Sequence, residues 1–168
     1  MGKAIRFVNK LTTWTGTVFS YLVWVGAVML TWEVVSRYVF NTPTVWAHGY
    51  SQRIFGSYFI MVGAFTLLQG GHVRVDLIVN RFSFRARKIF DLINYAFLLL
   101  WGTVLIFEGW KFFMSSWRLR ELDEMALAHP VYPVKFLLVV GSVLIVLQAL
   151  AMTAGTVVSL VRGKEYVP

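Results

Sequence analysis

The chain has 168 residues, of which 58% are hydrophobic, 17% aromatic and only 14% charged, against about 25% charged in a soluble domain. Too few polar side chains remain to coat a water-facing surface, which excludes a soluble enzyme or binding domain and predicts an all-α integral membrane protein, one transmembrane domain over residues 1–168. The net charge of +8 has meaning only once it is placed along the chain, and the absence of cysteine excludes disulfides and thiol chemistry.

A bilayer takes about 20 helical residues, and four apolar stretches reach that length, near 14–36, 47–69, 89–114 and 132–161. The first follows Lys3, Arg6 and Lys10 in the manner of a signal peptide. It is too long, holds Trp24 and Trp32 and lacks a small-residue cleavage site, so a retained span is expected. At its far end Glu33 stands one turn before Arg37, followed by Tyr38, Asn41 and Pro43 in an uncharged connection, 38–46. Asn41 and Pro43 are ordinary turn residues. Local geometry and a docking surface shared with Trp46 are both open readings for this stretch. The second span opens at His48 and carries Arg53 about two turns in.

After the second span the chain reads GGHVRVD, residues 70–76. Gly70 and Gly71 suit a helix C-terminus, and His72, Arg74 and Asp76 read as a turn facing water. This connection, 70–88, holds Arg74, Arg81, Arg85, Arg87 and Lys88 against Asp76 alone. Residues 79–90 space Val79, Phe82, Ala86 and Ile89 helically beside cations. That predicts either a short amphipathic helix on the inner surface or an extension of the third span. The third span carries Glu108 and Lys111, and the connection after it, 115–131, sets Arg118 and Arg120 against Glu121, Asp123 and Glu124. The acidic 121–124 segment joins the docking candidates. Arg162 and Lys164 close the chain. Lysine and arginine stay on the cytoplasmic side during insertion, which predicts cytoplasmic termini and a cytoplasmic 70–88 connection. The positive charge then faces anionic lipid, with no need for nucleic acid.

Ionisable groups inside spans are costly and raise functional hypotheses. Alternating helix directions put Glu33, Arg53 and Glu108 at similar depth, where a cation between two carboxylates forms an intramembrane brace. A coupling site for protons or an anionic substrate is the sharper alternative. Haem ligation needs histidines on facing helices inside a bundle. His48, His72 and His129 all fall at span ends or in connections, so no cofactor, haem or metal is expected. No nucleophile–base set or phosphate-cradling loop appears, so neither is an enzyme.

The stretches EVVSRYVFNTPTVWAH (33–48), Gly63–Ala64, GGHVRVDLIVNR (70–81) and PVYPVKFLLVVGSVLIVLQAL (130–150) resemble the small membrane subunit of TRAP transporters, the DctQ-like family. The resemblance implies a multi-pass protein of the bacterial inner membrane in a sodium-driven, ATP-independent organic-acid uptake system. Its implied partners are a large elevator-type membrane subunit, which it braces, and a periplasmic substrate-binding protein, which it helps dock. The cytoplasmic turn Gly70, Gly71, His72, Arg74 and Asp76 then fixes a corner between spans. One departure stands out. After the tryptophan of the first connection the family usually shows one or two glutamates, where this chain has Ala47, His48 and Gly49. A histidine there makes any contact at that point sensitive to pH. A self-sufficient proton-coupled exporter using Glu33 or Glu108 is the alternative reading, and a haem-bearing respiratory anchor a third.

Overall fold

A computed structural model describes residues 2–70, 82–124 and 127–162. Five helices make up nearly all of it: α1 (Gly2–Ser20), α2 (Leu22–Tyr38), α3 (Ala47–Leu68), α4 (Phe84–Leu119) and α5 (Tyr132–Arg162). Among the described residues there is no strand, and one isolated bridge joins Leu122 to Pro130. Three helical stretches are long and apolar enough to cross a membrane: Gly2–Tyr38, Phe84–Leu119 and Tyr132–Val161. At 22 residues, α3 is about 33 Å long, which also matches a hydrocarbon core of about 30 Å. His48, Gln52 and Arg53 in its first two turns dilute its apolar character.

The first predicted span, 14–36, is part of a longer object. Helix begins at Gly2 and continues to Tyr38 with a break at Tyr21, where the backbone bond reverts to an i−3 partner, Val18 O at 3.4 Å. The N-terminal turns are helical because they are amphipathic. Ile5, Thr12 and Gly16 lie on one buried face, at the seven- and four-residue intervals of a helical stripe, while Lys3, Arg6 and Lys10 lie elsewhere. That face packs on α3 and α5, and a Cβ at Gly16 would sit 2.3 Å from Phe65 Cβ.

The hub is α5, which packs against α4, α3 and α1. One apolar cluster joins Met61 and Ala64 of α3 to Leu144 of α5; a second joins Leu67, Tyr95 and Ala149, from α3, α4 and α5. Within α5, Gln148 is fully buried and accepts from the Thr12 hydroxyl at 2.9 Å while donating to Asn9 Oδ1 at 3.1 Å. Both ends of its amide are therefore satisfied, as a buried polar group requires.

The seam between α4 and α5 is written in α4. Its buried residues are Tyr95, Gly102, Gly109 and Ser116, spaced by sevens, the heptad interval that keeps one face on a partner helix. Small residues on that face let the two backbones approach closely. The helix runs five residues beyond the predicted 89–114 at each end. Of the predicted surface helix, 79–90, residues 82 and 83 precede α4 and 84–90 are its first two turns, continuous with the predicted third span. The remainder of that predicted helix lies outside the described residues.

Much apolar surface stays uncovered. Phe97 is 68% exposed and Phe107 65%. The accessible surface of 11310 Å² exceeds by about a third the ~8,400 Å² expected of a compact soluble protein of this mass. Exposed aromatic and aliphatic side chains of this kind suit contact with lipid or another membrane helix.

Candidate functional site

The polar side chains gather where α2, α4 and the two connections 39–46 and 120–131 meet the first turns of α3 and α5. Glu33, 9% exposed, is the anchor of the first connection. Arg37 donates to its Oε1 through Nε at 3.1 Å and Nη2 at 2.6 Å. Thr44 donates to Oε2 through its backbone N–H at 3.1 Å and through its hydroxyl. The chain reverses through Asn41 at φ 53, a left-handed conformation that asparagine tolerates, and Thr42 N–H closes onto Ser36 O at 2.9 Å.

The second connection is pinned from α3. Arg53 donates to Asp123 and to His129 O at 3.1 Å, and Asp123 in turn accepts His129 N–H at 3.0 Å. Backbone bonds Asp123 N–H to His129 O (2.9 Å) and Val131 N–H to Glu121 O (3.1 Å) pair residues 121–123 with 129–131. Glu121 accepts from Lys135 Nζ at 2.5 Å, and that ammonium also lies 3.7 Å from the centroid of the Phe112 ring. Aromatic rings fill the spaces between: Tyr50 on His129 at 5.0 Å and Trp117 on Tyr132 at 4.9 Å. Three carboxylates of the cap, Glu33, Asp123 and Glu121, are thus each neutralised in place by a cation.

The predicted intramembrane brace does not form. Glu33 is taken by Arg37 and Thr44, Arg53 by Asp123, and Glu108 by Lys111 at 2.7 Å on the exposed side of α4. The reason is topological. α4 packs chiefly on α5 rather than on α3, and Glu108 is exposed beside Lys111, while Arg53 finds a carboxylate in a connection and not in a span. Equal depth along antiparallel helices says nothing about which faces meet.

The docking candidates divide. Tyr38, Asn41, Trp46, His48 and Glu124 are exposed, with His48 Nε2 beside the Gln52 amide at 3.3 Å. Arg37, Glu121 and Asp123 are bound into the cap. Of the residues predicted to form a cytoplasmic turn, Gly70 ends α3 at φ 71 with its N–H on Leu67 O at 3.1 Å; Gly71, His72, Arg74 and Asp76 lie outside the described residues. No group of three His, Asp or Glu side chains able to hold a metal occurs among the described residues. Sequence reasoning missed Thr44 and Lys135. Nothing local marks Thr44, eleven residues from its partner, whereas the i,i+14 relation of Glu121 and Lys135 across the second connection was open to a charge-pairing search.

The Lys135 ammonium holds the Glu121 carboxyl below its ordinary value of 4.5. A depressed folded-state pKa contributes stability above the unfolded value and loses it as pH falls through the folded one. Glu121→Gln is therefore expected to melt below the wild type at pH 7, with the two curves converging as the pH is taken well below 4.5. Parallel curves at all pH values would show that the pair contributes nothing.

Residues 26–158 match the family model described as Tripartite ATP-independent periplasmic transporters, DctQ component. The matched region runs from within α2 to near the end of α5. A curated relative, the C4-dicarboxylate TRAP transporter small permease protein DctQ of Vibrio cholerae serotype O1, is 28% identical over 97 residues. That alignment spans 55% of this chain and 41% of the relative.

Proposed function

Because the chain belongs to the DctQ component family of the tripartite ATP-independent periplasmic transporters, we propose that it is the small, non-catalytic membrane subunit of such a transporter. It crosses the bacterial inner membrane four times with both termini cytoplasmic, packs beside the large elevator-type subunit and widens its fixed frame. The transporter takes up an organic acid at the expense of a sodium gradient. A C4-dicarboxylate, named for the relative in Vibrio cholerae, belongs to that class. The exposed residues Tyr38, Asn41, Trp46, His48 and Glu124 offer a surface to the periplasmic binding protein.

The observation that carries this reading is the family match across residues 26–158. The helix packing supports it: Met61, Ala64 and Leu144 fill the space where α3 meets α5, and the apolar outer faces of α2 and α4 call for a membrane neighbour. The exporter alternative loses its candidates, since Glu33 is saturated by four hydrogen-bond donors and Glu108 faces outward.

Proteoliposomes holding the large subunit, this chain and the binding protein are expected to accumulate an organic acid under an inward sodium gradient. Omission of this chain should reduce uptake to background, and the chain alone should take up nothing. Solute accumulation by the chain alone would return the exporter reading.

A further inference from the structure

Arg120 ends α4 in the left-handed region, φ 46 and ψ 47. That position is usually taken by glycine because a Cβ is crowded there. Its backbone N–H serves the helix end, bonding Trp117 O at 3.3 Å, a task any residue performs. Its guanidinium has no hydrogen bond or ion pair among the described residues, unlike Arg37 and Arg53, which both hold carboxylates. The carboxylates that follow it in the chain are occupied, Glu121 by Lys135 and Asp123 by Arg53, while Glu124 is exposed. A strained arginine with an idle charge is an outlier that points to a ligand.

The surroundings say which ligand. Arg120, Trp117 and Tyr132 line a recess of about 220 Å³, two of its walls being the T-shaped ring pair of Trp117 and Tyr132. Leu119 and Leu122, on either side of Arg120, are both exposed. Phe136 and Trp110 continue an apolar surface away from the recess along α5 and α4. Tryptophan and tyrosine at the ends of spanning helices mark head-group depth. An uncompensated guanidinium at that depth, with apolar surface leading from it, matches a molecule with an anionic head and acyl tails. We propose that this recess binds the phosphate of a phospholipid head group. The planar guanidinium takes two phosphate oxygens in its fork, the rings flank the glycerol ester region, and the acyl chains lie along α4 and α5. This goes beyond the assignment as a transporter subunit and needs only that the chain sits in a bilayer.

The test uses the full chain in mild detergent, titrated with phosphatidylglycerol and followed by native mass spectrometry. A galactolipid with the same acyl chains and no phosphate serves as comparator. Arg120→Gly is expected to weaken the tightest phosphatidylglycerol site about tenfold while leaving thermal stability equal or higher, since glycine relieves the backbone. Arg120→Lys should bind at intermediate affinity, Arg118→Gln (an exposed cation outside the recess) as the wild type does, and the galactolipid weakly to all. Unchanged phosphatidylglycerol affinity in Arg120→Gly overturns the proposal, and so does an equal loss in Arg118→Gln, which would mean diffuse attraction. Displacement of the lipid by an equal concentration of inorganic phosphate would show a plain anion site and also overturn it. So would a variant that keeps its lipid but no longer co-purifies with the large membrane subunit, which would assign Arg120 to an acidic protein partner.

Discussion

Arg53→Ala is expected to destabilise the chain by about 2–3 kcal/mol and to release the 120–131 connection from the end of the bundle. Asp123 is 14% exposed and Arg53 17%, so both charges are largely withdrawn from water. Removing one member of a fully buried pair costs roughly 3–5 kcal/mol, because the survivor is left uncompensated. The residual exposure here lowers that figure. Three bonds depend on the one guanidinium: its own to Asp123 and His129 O, and the Asp123 acceptance of His129 N–H, which is aimed by the pair. Arg53→Met combined with Asp123→Asn keeps an acceptor for His129 N–H and leaves no buried charge, so it should recover more than half the loss. Detergent-solubilised unfolding gives the stability. Trypsin cleavage after Arg118 and Arg120 reports the release of the connection. If Arg53→Ala leaves both unchanged, the cap is held by its aromatic contacts and not by its ion pair.

How much of this was readable beforehand depends on how local each feature is. Apolar runs longer than 20 residues declared the helices, and α3 and α5 lie within a residue of the stretches near 47–69 and 132–161. Helix ends that depend on an amphipathic face were misplaced. The start at Gly2 rests on Ile5, Thr12 and Gly16 finding α3 and α5, a tertiary fact invisible to a hydropathy count. Pairing failed for the same reason. Glu33, Arg53 and Glu108 were placed at one depth, but the azimuth of each side chain and the order of helices around α5 decide who meets whom. The heptad of Tyr95, Gly102, Gly109 and Ser116, by contrast, is a one-helix pattern and was available from spacing alone. Arg120 could not have been singled out by sequence, since only the backbone shows that an arginine sits where glycine is the usual choice.

At Gly141 the packing demand comes from a neighbouring backbone. A Cβ built there meets Ile60 Cγ2 at 2.5 Å, Ile60 O at 2.8 Å and Ile60 C at 3.2 Å. The side-chain contact could be relieved by rotating Ile60, but the carbonyl belongs to the backbone of α3 and moves only if the whole helix does. Close approach of this kind is how membrane helices gain van der Waals contact without a hydrophobic drive between them. Gly141→Ala therefore pushes α3 off α5 where Met61, Ala64 and Leu144 form their cluster. The expected loss is about 2–3 kcal/mol, toward the upper end for overpacking by a small group. Gly56→Ala in α3 makes the same chemical change where a Cβ meets nothing within 4 Å. It should be neutral or mildly stabilising, because alanine is the better helix former by about 1 kcal/mol. Melting the two variants side by side separates packing from propensity, which would move both in the stabilising direction. Since α3 also carries Arg53, seven residues before Ile60, into the cap, Gly141→Ala is further expected to raise trypsin cleavage after Arg118 and Arg120. A variant that melts like Gly56→Ala and leaves the cap protected would show that α3 and α5 are not in the close contact on which the rest of the bundle is built.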